Sequence, residues 1–345
     1  MASTIIESLG SKLASGHKLY LAKAAALFAL LLLFAWAGPL MPPFFAALFW
    51  AALSAASAIG LTYHAVIRKA RNQFMLKSGG KAARINNGRI ISLIVSFVVS
   101  AVLVAGLVFE SPKWGIAEWV VVAAAIPLYG AVYLRMKRLV AGELEPLFQK
   151  SKAVLWSSAI VGALLCLAYL AICIVEPTTA YPNATEAFLG AKQPFANSPS
   201  ALLSETGKLV ALVDGVTAYG LSKASEVSFG LYLFWRIVIS ASAFFGVASL
   251  LGTCALKLKE LKLVFLPLDA VKDPDEDVPV AKRFVAIACA LPLVLVAGFL
   301  IADFKVAQVA ETEEYTAAES LVRDNVGLPP TLSTANTTTS RRPRS

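Results

Sequence analysis

The amino-acid sequence predicts an all-α, multi-pass transmembrane helical bundle of about seven spans, with a small helical extracytoplasmic region. Three observations predict it. Apolar residues make up 58% of the 345 residues and charged residues only 15%, against about a quarter charged in a typical soluble domain. Seven apolar runs approach the roughly 20 residues that a helix needs to cross a hydrocarbon core. Most of the 31 lysines and arginines fall in the N-terminal segment and in loops 67–89, 135–152 and 257–283, which alternate with poorly charged connections. Positive residues close to span ends stay cytoplasmic. The N-terminus is therefore expected inside and, after an odd number of spans, the C-terminus outside the cell (inner or plasma) membrane. On this reading the net charge of +9 is mostly topology. The cations are not interleaved with aromatics as a base-stacking surface requires, so nucleic acid is not an expected partner.

The first span is read at Tyr20–Ala37. Ala35-Trp36-Ala37 resembles a cleavage site, but the preceding polar stretch is long and the apolar run slightly too long for a leader, so it is expected to be retained. A proline-rich turn, Gly38–Pro43, leads to the second span, Phe44–Val66. The loop that follows holds Arg68, Lys69, Arg71, Lys77, Lys81, Arg84 and Arg89 without one acid. It is expected to contact anionic lipid headgroups. The third span, Ile90–Phe109, and the fourth, Trp119–Leu134, are joined by the short connection Glu110–Glu118, which makes them antiparallel neighbours. Starting the fourth span at Trp114 gives a more comfortable length and places Glu118 at the outer membrane edge. The fifth span is Ala153–Val175, the sixth Ile237–Leu256 and the seventh Phe284–Ala302. Pro127 interrupts the fourth and Pro292 the seventh. Proline frees a carbonyl that lipid cannot satisfy, so both are expected to kink helices that pack against others.

Aromatic residues are expected at headgroup depth: Trp36, Trp114, Trp119 and Trp235 at outer ends, and Trp156, Tyr20, Tyr63 and Tyr133 at inner ends. Residues 176–228 form an outer loop. From Ala201 its Leu202, Leu209, Val213, Val216 and Tyr219 recur at helical spacing, which predicts one amphipathic helix with that stripe as its apolar face. The chain thus divides into residues 1–175 with five spans, the 176–228 loop, residues 229–304 with two spans, a helical extension at 305–330, and a Ser/Thr-rich tail at 331–345 too polar to fold. Leu261–Leu268 reads as a helix on the inner leaflet. The outer helices suggest a surface for a protein partner beside the lipid bilayer.

Motifs for chemistry are scarce. Arg236 lies either two turns inside the sixth span or snorkelled to the outer headgroups beside Trp235 and Tyr232. Glu118, or less favourably Glu110, shares its depth with opposite charge, and an ion pair between them is expected. Asp273-Pro274-Asp275-Glu276-Asp277 clusters carboxylates but lacks the glycine and distant glutamate of a calcium loop, and reads as a solvated turn. Ser78-Gly79-Gly80-Lys81 lacks the Ser/Thr and preceding strand of a phosphate loop. His17 and His64 are the only histidines, at or beyond span ends, and Cys166, Cys173, Cys254 and Cys289 lie inside spans as small apolar residues. No catalytic, metal or cofactor site is expected. Asn183-Ala184-Thr185 and Asn336-Thr337-Thr338 fit the glycosylation sequon. Small residues crowd spans two (Ala51, Ala55, Ala58) and six (Ser242, Gly246, Ala248, Gly252), where they let helices approach closely. The functional expectation is a non-enzymatic accessory or scaffold subunit of a membrane assembly. The alternative is a transporter, channel or facilitator for a small neutral or apolar solute. No ionisable group sits at midplane, which weighs against ion coupling.

Overall fold

The computed structural model describes residues 2–73, 75, 80–81, 89–175, 183–222, 226–257, 260, 264–265 and 282–310; its side chains are described from Lys18, though not at 73, 146–147, 174, 184, 217, 220–239 and 283. All its regular elements are helical. They are α1 (Ala2–Ala37), α2 (Pro43–Gln73), α3 (Arg89–Glu110), α4 (Ile116–Ala141), α5 (Pro146–Val175), α6 (Ala184–Gly190), α7 (Ala201–Ser222), α8 (Glu226–Cys254) and α9 (Lys282–Ala310). Short 3-10 turns at Gly38–Leu40 and Ser111–Lys113, each with proline in its first turn, close the α1–α2 and α3–α4 connections.

The protein is a multi-pass membrane protein. Six stretches are long and apolar enough to cross a bilayer: Lys18–Leu40, Pro43–Asn72, Arg89–Lys113, Ile116–Ala141, Phe148–Cys173 and Phe284–Ala310. Helix α8 has 29 residues, with a shorter apolar stretch along Ser240–Cys254 among the described side chains. At 1.5 Å per residue it is about 44 Å long, more than a hydrocarbon core of about 30 Å.

Helix α8 is the hub. It packs against α1, α2, α3, α4, α5 and α7, while α2–α3 and α4–α5 form antiparallel hairpins around it. Lipid offers no hydrophobic drive between helices, so close packing and interhelical hydrogen bonds must hold them. The small residues supply the first. A Cβ at Gly246 would lie 2.9 Å from the Leu103 carbonyl oxygen, and one at Gly252 2.6 Å from Ser158 Oγ. The Ser57 and Ser249 hydroxyls meet at 2.8 Å between α2 and α8, Trp50 Nε1 donates to the Ala101 carbonyl at 3.0 Å, and Tyr129 Oη donates to the Val154 carbonyl at 3.2 Å.

Both prolines lie inside continuous helices. Beside Pro127, Tyr20 Oη donates to the Ile126 carbonyl at 2.8 Å, tying α1 to the interrupted stretch of α4. Helix α9, with Pro292, leans on α2 and α7 and is the least buried span.

Three sequence expectations change. First, α4 begins at Ile116, so its span starts before Trp119. Second, several aromatics read as headgroup anchors are interhelical. Trp36 and Trp156 are exposed, but Tyr20, Tyr63 and Trp114 are buried; Tyr20 stacks on Tyr129, and Trp114 stacks on Phe244 at 5.6 Å. Third, the four cysteines, small apolar residues expected to be buried, are half-buried at Cys166, Cys173 and Cys254 and exposed at Cys289 on the poorly covered α9. The 273–277 acidic turn, Ser78, Gly79, the second sequon and the segment beyond Ala310 lie outside the described residues, as does most of 261–268. Within the latter, Val264 is buried and Phe265 packs edge-on against Phe284.

Candidate functional site

Two places gather polar chemistry, one on each side of the bundle. On the basic side, α3 and α5 both pack on α2 and α8 but scarcely on each other. The gap between them is a cavity of about 700 Å³. Its walls are apolar, with Ile91, Val95 and Val99 of α3 facing Leu155 of α5. Its rim carries Arg68, Lys69 and Arg71 of α2 and Lys152 of α5, with Glu143 and Glu145 on the α4–α5 turn. Deeper in, His64 Nδ1 and Ser151 Oγ are hydrogen-bonded at 3.0 Å. A second cavity of about 180 Å³ shares Leu61, His64, Val99 and Leu155 with the first and runs on to Ser249, Gly252 and Thr253 of α8. Together they make one groove from the basic rim towards the bundle middle.

Of the seven cations expected at headgroups, three therefore line this cavity. Lys81 is exposed and away from it. Arg89 covers Phe284, its guanidinium 5.1 Å from the ring centroid. Lys77 and Arg84 lie outside the described residues. Close by, Lys150 pairs with Glu260, and Lys23 Nζ donates to the Leu256 carbonyl at 3.1 Å, just past the end of α8.

On the opposite side, α7 is clamped at its start and past its middle. Asp303 of α9 accepts from Ser200 Oγ at 2.5 Å and from the Leu202 amide at 2.8 Å, while Ser200 Oγ accepts from the Leu203 amide at 3.2 Å. These bonds satisfy amides that a helix start leaves without partners. Further along, Lys113 Nζ lies 2.9 Å from Glu110 Oε1 and 2.8 Å from Asp214 Oδ2, all nearly buried. Lys192 Nζ adds a bond to the Lys113 carbonyl at 2.7 Å. Glu118 takes a local role, accepting from the Gly115 amide at 2.8 Å at the start of α4. The first sequon's Asn183 caps α6, accepting from the Glu186 amide at 2.7 Å.

The expected Arg236 ion pair involves a side chain outside the described residues; Glu110 is engaged by Lys113 and Glu118 by Gly115. Reasoning from sequence missed Lys113 and Asp303. A signal existed for the first, since Glu110 and Lys113 stand at i,i+3 spacing.

The sequence predicts the apolar stripe of α7 but not the face through which it packs. Helix α7 docks through Leu203, Gly207, Ala211 and Gly215, where a Cβ on Gly215 would meet Phe188 Cα at 2.7 Å. Leu209 (63% exposed), Leu212, Val213 and Val216 face outward. Small residues let α7 lie close, and hydropathy alone ranks the larger side chains as the better inner face.

Comparison with known proteins finds no matching family model, no matching curated protein and no matching solved structure.

Proposed function

We propose that this chain is a non-enzymatic accessory or scaffold subunit of a membrane assembly, and that α7 presents its partner-binding face. The observation that carries this reading is the outward stripe Leu209, Leu212, Val213 and Val216. It sits on a helix tied down by Asp303 at its start and by Lys113, through Asp214, past its middle. Apolar side chains exposed together on a clamped helix mark an interaction surface. Beside Leu209, Val306 and Val309 of α9 line a groove of about 410 Å³ with Glu205 and Lys305 on its rim, a shape that admits one apolar anchor.

The orientation belongs to the same proposal. The basic side faces the cytoplasm and α7 the exterior, in keeping with the cationic loops. Reporter fusions after Ala191 should read outside, and fusions within 75–81 should read inside. The reverse result inverts the topology and removes the outer partner.

Mild-detergent purification should recover a stoichiometric protein partner. Leu209→Glu with Val213→Glu should abolish that recovery while the subunit stays monodisperse and at wild-type yield. Recovery that survives this change refutes the α7 face. The groove on the basic side favours a second reading, a facilitator for a small neutral or apolar solute. A chain that purifies alone and moves solute across liposomes establishes that reading and overturns the first.

A further inference from the structure

We infer that the cavity between α3 and α5 is a binding site for one anionic phospholipid drawn from the leaflet on the basic side. Chemistry, length and size agree on that occupant. The rim carries four cations, Arg68, Lys69, Arg71 and Lys152, against two carboxylates, Glu143 and Glu145 on the opposite turn. Among the described residues, Arg68, Arg71 and Lys152 are in no ion pair, although carboxylates stand on the same rim. Cations that outnumber the carboxylates at the mouth of an apolar slot suit a phosphate group with a hydrocarbon tail behind it.

The slot has the depth for that tail. Its α3 wall runs from Ile91 to Leu103, twelve residues on, or about 18 Å of helix. One leaflet's share of a hydrocarbon core is about 15 Å. The volume of about 700 Å³ falls within the roughly 300–1,000 Å³ of ordinary ligand sites. Gly60 and Gly252 line the inner end, and the His64–Ser151 pair supplies a polar contact below the rim. A zwitterionic lipid would fill the slot equally well but leave the excess positive charge without a counterpart. Free phosphate would satisfy the rim and leave the apolar walls empty.

The experiment is native mass spectrometry of the full chain in mild detergent, titrated separately with phosphatidylglycerol, with phosphatidylcholine of the same acyl chains, and with inorganic phosphate. One phosphatidylglycerol should bind and phosphatidylcholine should bind more weakly. Arg68→Gln with Lys152→Gln should weaken phosphatidylglycerol by about thirtyfold, roughly fivefold per cation. Val95→Trp, which fills the slot without touching charge, should abolish the bound lipid, and Lys81→Gln should leave it unchanged. Should the double variant fail to fold, Lys152→Gln alone should show the fivefold loss. Equal binding of the two lipids, displacement of lipid by inorganic phosphate, or retention of lipid by Val95→Trp would each overturn the assignment.

Discussion

Lys113→Met should cost the protein about 3–5 kcal/mol, the penalty for removing one partner of a buried ion pair. The reason lies in what remains. Lys113 answers Glu110 and Asp214 at once, and the lysine and both carboxylates are almost out of solvent. Remove the ammonium, and Glu110 and Asp214 lose the cation they share at the edge of a medium that solvates charge poorly. The lost attraction matters less than leaving those nearly buried acids without it. The loss should be local first. Asp214 belongs to α7, so this helix should loosen from the bundle, and limited proteolysis should cut residues 183–222 sooner than in the wild type. Glu110→Gln in the Lys113→Met background removes one stranded charge and should recover part of the loss. Thermal unfolding in mild detergent tests both. A Lys113→Met protein within about 1 kcal/mol of wild type would mean that water screens the cluster as it screens a surface pair.

How much of this was legible beforehand depends on which physical signal each feature uses. The spans were legible because hydrocarbon thickness sets a length that seven apolar runs had to meet, and the observed bundle is a multi-pass helical one. Span four was drawn too short, because Glu118 read as a membrane boundary when it is the capping residue of α4. Tyr20 and Tyr63 were placed at headgroup depth by a rule for amphipathic rings. A hydroxyl such as that of Tyr20, bonded to the Ile126 carbonyl, can be satisfied between helices equally well. The packed face of α7 was missed because periodicity finds an apolar face and is silent when a helix has two. The cavity could not have been read at all. Its lining comes from residues near 64, 95 and 152, and only the way α3 and α5 each lean on α2 and α8 brings them together.

Gly246→Leu and Gly298→Leu are the same change in the same class of helix, yet they should differ in sign. At Gly246 even the first added carbon would lie 2.9 Å from the Leu103 carbonyl oxygen. That atom is backbone, so no rotamer change can clear it, and α3 must move away from α8. We expect a loss of about 3 kcal/mol, the upper end of overpacking. Separation of α3 from α8 should also break neighbouring contacts, including that of Gly106, whose Cβ position lies 2.0 Å from Ser242 Oγ. At Gly298 nothing lies within 4 Å of the added carbon. There leucine meets only lipid and gains helix propensity, so the variant should be neutral or up to about 1 kcal/mol more stable. The pair separates two accounts of why this chain is rich in small residues. If glycine served mainly to make its helices pliable, both variants should shift stability in the same direction. If it serves to let α8 touch its neighbours, only Gly246→Leu should unfold early. Unfolding followed by thermal melting of the two variants in one detergent decides between them.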